Sequence, residues 1–430
     1  MAPRALGLRH FAAPMRRHTR LMFNARAFLH RPRIADVRDL ARGAMRPFGQ
    51  RVGLPPEAAE RPEPGQIDVP ILTSSAEDRA RAQILAQGRH LARQQDWAEL
   101  GALIRAADSA RALTPGGASV AELLAAGARE DAVSAACAAA GRSDADAANR
   151  PIADLRDELD ALSLDHGVAL VVVRAHLDLG TAWLRQAADR RIGRAGFHTH
   201  FNAARKLLDA FDPVEADAAS LAAARCAVLP GTRGAAARVI DDYDDLIDLD
   251  PRCARHLSAL GRDMMPDRFG SHAALHEAAC RSAARTADIW GMGGYVWTCL
   301  DAIDADPSCV AALDPALFVE GLHDILAAGP DQAVVNRLAA LTGFTLSCGP
   351  DAPPAHRAIA TSFCWIVTDH LREVHPRVWA AAPSPVATAA PADGPETGAA
   401  RALSSIGRLF ADDLAAGRSV RAGPEGWTYA

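Results

Sequence analysis

The chain has 430 residues with 49% apolar side chains, many of them alanine, and only 5% aromatics, a balance that favours closely packed helices over a sheet of β-branched and aromatic residues. Its formal charge of −5 is unevenly placed: residues 1–52 hold twelve arginines against Asp36 and Asp39, a formal +10, which leaves −15 on the rest. Lys206 is the only lysine, so a G-x-x-x-x-G-K-S/T phosphate loop is excluded and lysine-dependent chemistry has one position open to it.

In chain order, residues 1–52 form a basic arginine-rich arm in which Phe11, Met15, Leu21, Phe23 and Phe28 interleave with the charges. That pattern suits nucleic acid, an anionic membrane surface, or the chain's own acidic body. Residues 53–73 carry five prolines and read as an extended linker. A helical body is expected over 74–379. The S-x-x-E spacing of Ser74 to Glu77 marks a capping box, and a helix then runs to about Gln95. Trp97-x2-Leu100-Gly101 opens the next helix. A second box, Ser119 to Glu122, starts a short helix with a partner over 129–141, and 142–150 reads as a loop before Pro151 at the first position of the following helix. Residues 151–163 and 167–190 then suggest an antiparallel pair, with His176-x2-Leu179-Gly180-x2-Trp183 on the second member.

Three similar helix endings follow, at Asp212-Pro213, Asp250-Pro251 and Asp306-Pro307, separated by 38 and 56 residues. Further helices are expected near 314–328, 331–342 and 354–375. Residues 380–398 read as a Pro/Ala-rich linker expected to be disordered, 399–418 as a C-terminal helix, and 419–430 as a tail. The eight cysteines are scattered without a C-x-x-C, as befits small buried hydrophobes in a reducing compartment, and no apolar run approaches the length of a membrane span. A cytoplasmic protein is expected.

The most organised stretch runs from Val239 to Met264. Val239, Tyr243, Leu246 and Ile247 share one side of a helix that stops at Asp250-Pro251, and Leu257-x2-Leu260-Gly261-x2-Met264 follows. This resembles the junction between two tetratricopeptide (TPR) repeats, with Leu257 and Met264 in the aromatic slots of W-x2-L-G-x2-Y. The resemblance implies an all-α, irregular antiparallel helix-hairpin (TPR-like) solenoid. Trp97, Leu100, Gly101, Leu179, Gly180, Trp183, Leu257, Leu260, Gly261, Pro251 and Pro307 would make its helix-pair contacts.

Two groups have metal-binding potential. Asp241, Asp242 and Asp245 form a D-D-x-x-D, whose paired carboxylates suit hard cations, yet Asp301, Asp304 and Asp306 supply no second such motif, and the plainer reading is the solvent face of a helix. His272, His276 and Cys280 recur every four residues, but a spacing of eight residues is about 12 Å along a helix, too far for all three to share one ion. His198-Thr199-His200 is placed in a loop, and Gly291-Met292-Gly293-Gly294 reads as a helix break rather than a dinucleotide fingerprint. With no serine elbow and no cysteine in a catalytic signature, the expected function is a non-enzymatic interaction scaffold, without cofactor, that binds a protein or peptide partner. The acidic helix faces suggest that this partner is basic. The alternatives are an α-helical metal-dependent enzyme using Asp241/Asp242/Asp245 or His272/His276, and a nucleic-acid or anionic-membrane adaptor acting through residues 1–52.

Overall fold

The computed structural model describes residues 65–163, 165–347, 352–384 and 394–429. The basic arm of residues 1–52, the linker up to residue 64 and residues 385–393 of the linker expected to be disordered over 380–398 lie outside the described residues, while the flanks of that linker are helical, up to Ala381 and again from Pro395. What is described is mostly helical.

The first six helices each start where a short polar side chain takes up an amide that the first turn leaves free. Ser75 caps α1 (Ala76–Arg93), Asp96 caps α2 (Trp97–Ser109), Ser119 caps α3 (Val120–Gly141), Asp144 caps α4 (Ala145–Ala161), Asp165 caps α5 (His166–Gln186) and Asp189 caps α6 (Arg190–Leu208). Three boundaries differ from expectation. The first capping box lies one residue later, between Ser75 and Asp78, which leaves Glu77 to accept from Thr114 Oγ1 at 2.9 Å and from the Gly116 amide at 2.7 Å. The two short helices expected over 119–141 are one, because its alanine-rich second half has strong helix propensity. The loop expected over 142–150 is helical from Ala145, so Pro151 lies inside α4; Ile152, Leu155 and Leu159 bury the face that offsets its lost amide bond.

The second half contains α7 (Ala219–Ala227), α8 (Val239–Leu249), α9 (Ala254–Asp263), α10 (His272–Arg285), α11 (Ala287–Trp290), α12 (Gly293–Ala305), α13 (Pro315–Ala327) and α14 (Gln332–Ala340). The single helix expected over 354–375 is broken into α15 (Pro354–Ala360) and α16 (Phe363–Trp365), then a π-turn over Ile366–His370. At the first break Thr361 Oγ1 donates back to the Ala358 carbonyl at 2.7 Å, a local bond that competes with the helix. The chain ends with α17 (Pro376–Ala381), α18 (Pro395–Leu409) and α19 (Ala411–Ala415).

Helices α1, α3 and α5 lie side by side, with α2, α4 and α6 packed against them. Further on, α9 packs on α12, which also receives α10 and α13, and α14 meets α17. Two apolar cores result. One, from Trp97 to Val228, is mainly Ala, Val and Leu; the other, from Val69 through Ala422, carries Tyr295, Trp297, Phe318 and Trp379. Leu100, Leu179, Trp183, Leu257 and Leu260 are buried. At Gly261 a Cβ would collide with the Thr298 carbonyl oxygen, so only glycine lets α9 approach α12 this closely.

Part of the expected linker and tail is structured. β1 (Ile67–Asp68) pairs in parallel with β2 (Val420–Gly423), which pairs antiparallel with β3 (Gly426–Tyr429). Leu72 N donates to Val374 O and Val374 N to Pro70 O, so Pro70 lies where it donates nothing and only accepts. Arg377 also reaches Asp78 at 3.8 Å. The beginning and end of the described body therefore meet, and inner helices from α1 to α17 surround a shared interior. Among the described residues one helix, α5, is long and apolar enough to cross a membrane, and 72% of that window is buried inside the protein, as in a core helix.

Candidate functional site

Three adjoining cavities of about 550, 870 and 400 Å3 occupy this interior, and all three are lined by Asp301 of α12. Their walls come from α1, α3, α5, α6, α7, α8, α9, α12, α14 and α17. Arginines outnumber carboxylates ten to six, the reverse of the balance over the whole chain. Several are held in place by acids: Arg174 by Glu122, Arg129 by Asp178 at 2.7 Å, Arg262 by Asp267 at 2.6 Å, and Arg337 by Asp301 at 2.5 Å and Asp304 at 3.2 Å. Others are uncommitted. Arg185, Arg194 and Arg255 line the cavities from solvent-exposed positions and form no ion pair among the described residues, and Arg129 Nη1 is buried without a hydrogen-bond partner there. Burial pushes the Asp263 carboxyl up, although Arg268 at 3.2 Å and the Tyr243 hydroxyl at 3.0 Å oppose this. A fourth, more apolar cavity of about 440 Å3 adjoins at Arg81, Arg255 and Arg337, with Trp290 and Trp297 in its wall.

The residues singled out for metal binding are not brought together. Asp242 bonds Arg238 at 3.0 Å on its own helix, Asp241 and Asp245 are exposed, and the neighbouring Asp244 and Asp248 hold Arg285. On α10, His272 faces Asp306 at 3.4 Å, while His276 Nδ1 meets the Tyr295 hydroxyl at 2.8 Å and Cys280 lies 3.8 Å from its Nε2. Gly291 does break the helix, with φ of 54° in the left-handed region.

His198 and His200 lie on α6 and not in a loop, because the Asp189 cap starts that helix well before them. His200 is buried with its Nδ1 3.1 Å from Nδ1 of His176. One ring must donate and the other accept, which requires at least one neutral imidazole. Both are lowered to about 4, His200 by burial and His176 by burial first and then by the neighbouring His200 and Arg156.

One cluster was missed. Asp250, Cys253 and His256 are all buried, and one donor atom from each lies within 4.8 Å of the other two. Asp250 closes α8, Cys253 precedes α9, and His256 stands in the first turn of α9; its Nε2 is 3.1 Å from Asp250 Oδ2. Burial alone would push His256 down, but hydrogen bonds with Asp250 and Cys253 overcome it and raise the imidazole to about 9. Arg111 Nε and Trp290 Nε1 bond the Leu249 and Pro251 carbonyls, anchoring the turn. A sequence signal was available in the spacing D-P-x-C-x2-H. The related turn Asp306-Pro307-Ser308-Cys309 has Ala312 at the last place, and there Asp306 caps the Ser308 amide at 2.9 Å near the surface.

Comparison with known proteins adds no name to this geometry: no family model, no curated protein and no solved structure matches the chain.

Proposed function

We propose that this protein is a non-enzymatic binding scaffold, a TPR-like array of helix pairs whose inner face takes up an acidic segment of a partner protein. The supporting observation is the positive charge of the cavity walls, where ten arginines stand against six carboxylates in a chain whose net charge is negative: Arg129 Nη1 is buried without a hydrogen-bond partner among the described residues, and Arg185, Arg194 and Arg255 stand solvent-exposed on the walls with no ion pair there. Arginine suits this task because its planar fork holds carboxylates bidentately. The cavities fall in the size range of ligand sites, and their continuity through Asp301 fits an extended segment. The basic partner suggested by the acidic outer faces would meet like charge here. Within the cavities, charge complementarity favours the acidic one.

The test is fluorescence anisotropy with two labelled decapeptides, one glutamate-rich and one arginine-rich, added to the full chain. Preferential binding of the acidic peptide is expected, weakening as salt rises and dropping about tenfold in Arg255→Glu, because reversing an exposed charge on the cavity wall costs of the order of 1.4 kcal/mol. Equal or stronger binding of the arginine-rich peptide would overturn the reading, as would an Arg255→Glu variant that binds like the parent. Residues 1–52, supplied as a separate peptide, serve as the competitor that distinguishes a basic internal occupant.

A further inference from the structure

We infer that Asp250, Cys253 and His256 bind one zinc-class divalent ion, with the fourth coordination position open to the interior cavity. The three side chains offer one oxygen, one sulfur and one nitrogen, a mixed set that suits borderline-soft Zn2+ better than the hard cations Mg2+ or Ca2+. Their spacing is already close to what such an ion needs. Metal bonds of about 2.0–2.3 Å in a tetrahedral arrangement place neighbouring donors roughly 3.3–3.8 Å apart. Asp250 and His256 stand at 3.1 Å, and all three donors lie within 4.8 Å, so about an ångström of closure completes the triad.

Two further features separate this cluster from an ordinary buried ion pair. The first is access: Cys253 and His256 line the cavity of about 400 Å3, so water or a ligand group can reach the open position without the chain opening. The second is the contrast with the sister turn at Asp306-Pro307-Ser308-Cys309. It has the same carboxylate and thiol spacing but no histidine three residues on, and its carboxylate is 45% exposed and engaged with a backbone amide. Asp250, whose side chain is 8% exposed, turns inward to the point where the other two donors converge. Binding displaces the protons from Cys253 and His256 to solvent, leaving thiolate, neutral imidazole and carboxylate around the ion; no redox change is involved.

The full chain, stripped with chelator and reloaded, is titrated with Zn2+ against a chromophoric competitor, and separately with Co2+ while its absorption is followed. One equivalent of Zn2+ per chain and a thiolate-to-cobalt charge-transfer band in the near ultraviolet are expected. Cys253→Ser should abolish the band and weaken Zn2+ binding about 100-fold or more, whereas His272→Ala and His276→Ala should leave both unchanged. Cys253 is a small side chain, so its serine variant should fold even if His256→Asn does not; circular dichroism checks this. The inference is overturned if no Zn2+ binds in competition, if cobalt gives no thiolate band, or if binding persists undiminished in folded Cys253→Ser.

Discussion

The two halves of the body each bury histidine, and they treat it in opposite ways. In the first core His176 and His200 meet only each other across 3.1 Å, with no carboxylate within hydrogen-bond reach among the described residues, and both are held near 4. In the second half His256 is as deeply buried but faces Asp250, and it is raised to about 9. Burial is therefore not what decides the charge of an interior imidazole. The partner decides it: desolvation disfavours the cation in both places, and at His256 hydrogen-bond contact with Asp250 and Cys253 restores it.

That contrast predicts opposite pH responses of the metal-free protein. A folded-state value below the unfolded one of about 6.5 means that, as pH falls from 6.5 to 4, the unfolded chain takes up protons that the His176–His200 pair refuses. Stability is lost across that window, by about 3 kcal/mol for each imidazole taken alone, at about 1.4 kcal/mol per unit. Chemical denaturation at pH 7 and pH 4.5 measures it, and a flat profile would break the comparison. At His256 the folded value lies above the unfolded one, so its contribution is complete below pH 6.5 and is lost as pH rises through about 9.

Asp250→Asn tests the second half directly. It should destabilise the protein by about 3 kcal/mol at pH 7, since His256 loses the carboxylate that holds its proton and turns neutral, and should also remove the loss between pH 6.5 and 9. Denaturation midpoints of parent and variant at pH 7 and 9 give both answers. His200→Leu sharpens the first half: a cost of about 1 kcal/mol at pH 7 for the lost hydrogen bond, with the acid-side slope reduced because His176 no longer faces a second imidazole. The smallest effect is expected at His272→Ala, where a partly exposed contact with Asp306 contributes at most about 1 kcal/mol, as thermal unfolding would show.

Much of this fold is visible from residue types. The Trp97 opening and the Ser119 box fall at the starts of α2 and α3, and Asp250-Pro251 ends α8 where the pattern places the stop, whereas the Asp144 and Asp189 caps start helices in stretches expected as loops. Gly261 marks a close helix contact from its spacing alone, although the Thr298 carbonyl it faces is 37 residues away and could not be named. The candidate sites were less legible. The D-D-x-x-D on α8 drew attention through its density, yet its acids are exposed or taken by Arg238 and Arg285; the sparser D-P-x-C-x2-H beside it has all its donors buried.

Local chemistry placed many of the helix ends, since a cap, a proline or an alanine run acts on neighbours within a turn or two, but not the continuity of α3, the start of α4 or the breaks after Ala360. Which side chains meet was decided only when the helices packed. The pairing of residues 67–68 with 420–421 closes a loop of about 350 residues, and the ring of arginines around Asp301 is gathered from seven helices. Such contacts depend on burying shared apolar faces, a long-range cooperative effect that no short window of sequence contains.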